Sequence, residues 1–133
     1  MFKLVILFLM ICAISFFSGE LTHKSITVRT TYYNPVSSQC SGDPLVTADG
    51  SKISLQKLKN GELKWVAISR DLLKQFPHGT KIKVVSKKHP EINGIYEVHD
   101  TMGSKHTYSI DILAHQSKGH IFGAHLVSIR KVK

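Results

Sequence analysis

The sequence predicts a mainly β protein, a small barrel of six short strands with only brief helical turns. Three observations predict it. Runs rich in Val, Ile, Thr and Tyr recur with alternating apolar and polar residues. Asn34-Pro35, Asp49-Gly50 and Pro77-His78-Gly79 punctuate those runs. No segment of the domain keeps a 3.6-residue apolar period beyond two turns.

The chain has 133 residues. It opens on Met1-Phe2-Lys3, one positive charge, followed by the apolar run "LVILFLMICAISFF" over residues 4–17. That run is too short to span a bilayer and suits a secretory signal, with cleavage expected after Gly19. Residues 1–19 are thus read as a signal peptide and residues 20–133 as one domain, with no linker or repeat. Cys12 would leave with the signal. Cys40 then stands alone, no intramolecular disulfide is possible, and the fold must rest on packing.

The elements follow in order. Residues 25–33, "SITVRTTYY", read as a strand stopped by Asn34-Pro35. A polar loop runs to Pro44, and "LVTADG" (45–50) reads as a short strand entering a turn. "SLQKLKNG" (54–61) suits one or two helical turns, capped by Ser54 and ended by Gly61. "LKWVAIS" (63–69) is a strand. Ser69 then caps a brief helix that Pro77-His78-Gly79 stops. "KIKVV" (81–85), "IYEVHD" (95–100), "YSIDIL" (108–113) and "AHLVSIRKV" (124–132) complete the strands.

Eighteen Lys and Arg against nine Asp and Glu give a formal charge of +9. Such a surface suits nucleic acid, anionic lipid or an acidic polymer. Export argues against nucleic acid, and a bacterial wall with its peptide carboxylates fits the charge. Nothing in the sequence implies a cofactor. His115, His120 and His125 recur every five residues across a glycine loop, a spacing that matches no helical metal pair, so no metal is expected.

Two aspartates sit in β-type runs, Asp100 and Asp111, eleven positions apart. Aspartate suits strands poorly because its side chain competes with the backbone for hydrogen bonds. The two either punctuate turns or do chemistry. Cleaving a glycosidic bond takes a proton for the leaving oxygen and negative charge beside an oxocarbenium-like transition state. One carboxyl with a raised pKa and one carboxylate supply both. Neighbouring strands lie only about 5 Å apart, close enough for the pair to divide these roles. Among other residues, Tyr32 and Tyr33 are candidates for stacking on sugar rings, one of them in the core. Asp49 reads as a turn residue and is also a candidate substrate contact, and Trp65 is core. His106 lies between the two aspartates and suits a substrate contact. His99 adjoins Asp100, but strand neighbours point to opposite faces.

The order "TTYY … LVTADGSKI … VAISRDLL … FPHGTKIKV … GIYEVHDTMG … SIDIL" resembles the three-aspartate domain. That family is a double-psi β-barrel shared with membrane-bound lytic transglycosylase A and, more distantly, with rare lipoprotein A and the expansins. The resemblance runs from about Thr30 to Val132. It implies that Asp71, Asp100 and Asp111 are the signature acids, with Asp111 the catalytic acid, Asp100 its partner and Asp71 structural. It further implies substrate contacts at Thr101 and structural glycines at Gly79 and Gly103. The expected function is acid-catalysed cleavage of peptidoglycan glycan strands by an exported monomer without a stable membrane span. The alternatives are an expansin-like polysaccharide-binding module without catalysis, or a secreted protein–protein module.

Overall fold

In the computed structural model, which describes residues 23–133, the alternating runs become strands. These are β1 (Ile26–Tyr33), β2 (Trp65–Ile68), β3 (Lys81–Val85), β4 (Gly94–Thr101), β5 (Ser109–Leu113) and β6 (His125–Lys131). They close into a barrel of order β1-β5-β2-β4-β3-β6. The pairs β1/β5 and β2/β4 are parallel and the other four antiparallel. The six-stranded double-psi barrel expected from the sequence is the fold observed. The proposed signal, residues 1–19, lies outside the described residues. Among the described residues no helix is long and apolar enough to cross a membrane.

Alternation sorts the side chains into two sets. Val28, Val66, Ile68, Ile82, Val84, Val98, Ile110, Ile112, Val127 and Ile129 turn inward and fill the barrel. The outward set is mostly solvated, with one exception. Tyr33, Ala67 and Leu113, on β1, β2 and β5, are covered by residues 34–63 and pack with Ile53, Leu58 and Met102 as a second, smaller core. Half-buried Trp65 joins it. That covering segment carries α1 (Leu55–Lys59), where the Ser54 hydroxyl accepts the Lys57 N–H as the sequence predicts.

The stretch between β2 and β3 plugs the barrel. A 3₁₀ turn (Arg70–Leu72) continues to Phe76, whose N–H donates to the Leu72 carbonyl, and the Phe76 ring enters the main core at 1% exposure. Gly79 then takes φ +90°, a conformation side chains avoid, and donates to the Val98 carbonyl at 2.7 Å. The Thr80 hydroxyl donates to the Pro77 carbonyl at 2.6 Å. "FPHGT" is therefore a plug followed by a locked turn.

Two local expectations need correction. Residues 45–50 form no strand, only an isolated bridge between Val46 and Lys52, because the loop bonds to itself through Asp49 instead of to a neighbouring strand. Ser69 does not cap the helix with its side chain. It is fully buried, and its hydroxyl accepts the Ser109 N–H.

Candidate functional site

The sequence expectation for β4 fails at one point, and the failure builds the site. Val66 pairs with Val98, but Ala67 pairs with Asp100, so the register slips by one residue at His99. A bulge of this kind puts an extra residue on one strand and re-aims its side chains. His99 and Asp100, expected on opposite faces, both point outward. His99 packs on Trp65 with ring centroids 4.3 Å apart, and Asp100 meets the Tyr33 hydroxyl of β1.

Asp100 accepts three hydrogen bonds: Tyr33 O–H at 2.9 Å, its neighbour's N–H (Thr101) at 2.9 Å, and the Ala48 N–H at 3.0 Å. The last bond ties the 46–52 loop to the barrel. Asp111, on β5, lies directly opposite Thr31 of β1 and Ala67 of β2. The Thr31 hydroxyl donates to its Oδ1 at 2.8 Å. Burial pushes the Asp111 pKa up to about 6, and the charge of Asp100 adds to that rise. The Thr31 hydrogen bond and the His106 charge work the other way without cancelling it. Burial, followed by the charge and hydrogen bond of Asp100, drives the Tyr33 hydroxyl far above the usual tyrosine range.

Both aspartates line one open groove of about 720 Å³, within the ~300–1,000 Å³ typical of ligand sites. Tyr33 and Ala67 share its floor, Thr47 and Ala48 form one wall, and Thr101 and His106 stand at another. Thr101 also holds His78 by its hydroxyl, at 2.9 Å from Nε2.

The loop wall has a second anchor. The His99 Nδ1 lies 2.6 Å from Asp49 Oδ2 and its Nε2 lies 2.8 Å from Glu97 Oε2. Burial opposes charge on this ring, but the bonds and charges of Asp49 and Glu97 prevail and raise its pKa. Asp49 is likewise opposed by burial, yet bonds from Thr47, His99 and Ser51 hold it well below the usual carboxylate range. Ser51 Oγ, at 3.2 Å, approaches the same Nδ1 that Asp49 uses. A serine nucleophile needs the opposite nitrogen from its acid, so this trio is a clamp.

The structure thus gathers Asp100, Asp111, Tyr33, Thr101 and His106 at one groove and leaves other candidates out. Tyr32 packs against Phe122 and His120 and donates to the Gly119 carbonyl, away from the groove. Asp49 stands behind the wall it shapes. Asp71 is exposed and accepts the N–H of Tyr108, whose φ of +43° is unusual for a residue with a side chain. It holds the turn into β5. At Gly103 an added Cβ would meet only His106, at 3.9 Å, so geometry demands no glycine there. His115, His120 and His125 do not converge: His115 bonds Ser117 and His125 bonds Ser86. Sequence reasoning missed Arg70 and Cys40 as lining residues. Burial raises the Cys40 thiol pKa, and the sulfur lies 3.6 Å from the Asn34 carbonyl oxygen. Only the long loop brings it there, and no local motif signals that.

The Asp111 environment makes a pH prediction. Folding tightens its hold on a proton, so the stability Asp111 contributes is full below about pH 4, where folded and unfolded forms both carry the proton. It declines by on the order of 2 kcal/mol as pH rises through about 6. Asp111→Asn removes this component. Urea titrations of both proteins between about pH 4 and 7 should show the wild-type curve falling relative to the variant, and parallel curves would contradict the assignment.

The chain matches no family model and no curated protein. Solved structures do match. A mutant Clavibacter michiganensis expansin in complex with cellohexaose aligns with TM-score 0.56 and 16% identity, over 83% of this chain and 51% of that one. The apo expansin from the same organism gives 0.54 and 14% over the same shares. The Streptomyces papain inhibitor gives 0.53 and 17%, over 85% of this chain and 98% of that one. The chain spans about half the length of the expansin chains. At these identities the likeness is one of fold, and it agrees with the double-psi barrel. No match supports the resemblance to the three-aspartate domain, which stands on the sequence motifs alone.

Proposed function

We propose that the barrel is an exported polysaccharide-binding module that adsorbs to cell-wall glycan strands along the Asp100–Asp111 groove. The observation that carries this reading is the groove itself. It is open, of ligand size, and its floor presents carboxyl and hydroxyl groups to the hydroxyls of a sugar chain. The fold is one that a cellohexaose-bound expansin also has. Without Lys3, which leaves with the proposed signal, 17 Lys and Arg against nine acids give +8, and that charge adds attraction to an acidic wall. On this reading, protein sediments with purified sacculi or insoluble glucan, binding weakens with salt, and Asp111→Asn still binds. Failure to sediment with either polymer would rule the reading out.

One observation favours a second reading, glycan cleavage. Asp111 is a carboxyl whose pKa of about 6 keeps part of it protonated near neutrality, with Asp100 close enough to influence it. That is what a general acid requires. In this case sacculi release soluble muropeptides with the wild type, and Asp111→Asn abolishes release while binding persists. Binding without release assigns the groove to adsorption alone.

A further inference from the structure

The side of the barrel away from the groove has a composition of its own. It centres on β3 and β6 and takes in the starts of β4 and β1, whose other ends carry Asp100 and Tyr33. In register across it, Ile95 stands beside Lys83 and Lys83 beside Arg130; the next row sets Val85 beside Ser128 and Ser128 beside Thr27. A third row places Leu126 beside Arg29, whose N–H donates to the Tyr108 carbonyl. Leu126 is 68% exposed, Tyr108 61% and Ile95 52%, the three most exposed large apolar side chains among the described residues.

The cations of this face are unneutralised. Among the described residues every ion pair involves a histidine, so Lys81, Lys83, Arg29 and Arg130 pair with no carboxylate. Lys83 and Arg130 sit directly opposite each other, an arrangement that disfavours a sheet unless an anion relieves it. The nearest acids are at the rim: Glu97, opposite Lys81 and bound to His99, and Asp71, which holds Tyr108.

We infer that this face docks on an anionic phospholipid surface, with Leu126 and Ile95 entering the headgroup–acyl boundary between cations that hold the phosphates. Cations alone would suit any polyanion. Protruding aliphatic side chains among them suit a surface that offers both charge and hydrocarbon, which a soluble polyanion does not. The groove stays open on the other side.

The test is sedimentation of the full chain with phosphatidylcholine vesicles, with and without phosphatidylglycerol. Residues 4–17 are apolar and partition into both, so the ratio between the two vesicle types is the readout. The wild type prefers the anionic vesicles. Lys83→Gln and Arg130→Gln each reduce that preference roughly fivefold, and Leu126→Ser reduces the same preference roughly tenfold, because the face engages only the anionic vesicles. In Leu126→Trp, brominated acyl chains quench emission beyond the Trp65 background. Equal binding to both vesicle types overturns the inference. So does a preference that Leu126→Ser leaves unchanged, or a Leu126→Trp signal that stays unquenched; either outcome reduces the face to a general polyanion contact. All substituted side chains are solvent-facing, and a thermal melt matching wild type confirms that each variant folds.

Discussion

Replacing Asp100 with alanine is expected to lower stability by about 2–4 kcal/mol and abolish sedimentation with glycan. The change leaves three donors without their acceptor: the Tyr33 hydroxyl and the N–H groups of Ala48 and Thr101. The two amides border the open groove and regain water. Tyr33 is 7% exposed, and its hydroxyl is costly to strand. Loss of the Ala48 bond also loosens the loop wall, leaving it held by the His99–Asp49 clamp and by the Asp49 N–H on the His99 carbonyl. Asp100→Asn keeps an acceptor oxygen and loses less, about 1–2 kcal/mol, because one donor now faces an NH₂ group. Urea titration gives the energies, and hydrogen exchange at Ala48 reports the loop. Unchanged protection at Ala48 with a loss under about 1 kcal/mol would mean that Asp100 does not hold the wall.

Phe76→Ala is expected to cost about 3–5 kcal/mol, the largest effect of any single truncation in the barrel. The ring is 1% exposed at the barrel's end, and the turn behind it is locked by Gly79 and Thr80, so neighbours cannot collapse into the space. Small domains have only about 5–15 kcal/mol in total, and this variant approaches the limit of folding. A lower urea midpoint at unchanged slope is the expected signature. A loss below about 1.5 kcal/mol would show that the end of the barrel repacks freely.

What was legible in the sequence follows from range. Period-2 runs such as "KIKVV" declare which side chains enter the core, and β3 appears as read. "FPHGT" announces a turn because Gly79 needs its positive φ. Asp100 and Asp111 were expected on neighbouring strands, but β2 lies between β4 and β5; they reach one groove because both stand opposite Ala67, one on each side of β2. The orientation of Asp100 was not anticipated, since one extra residue in β4 is visible only against β2. The Thr31–Asp111 bond depends on a parallel register between residues 80 positions apart, which alternation within either strand cannot fix. The 45–50 run looked like a strand because Leu, Val and Thr favour one. Asp49 overrode that preference by taking the loop's own donors.

The placement of β6 between β3 and β1 has a consequence for how the molecule comes into being. Until β6 exists, the ring has a gap one strand wide, bordered by the open edges of β1 and β3. The other edge of β1 can already hold β5, but this one waits for a strand almost a hundred residues further on. Closure is therefore a long-range step that the earlier pairings cannot complete.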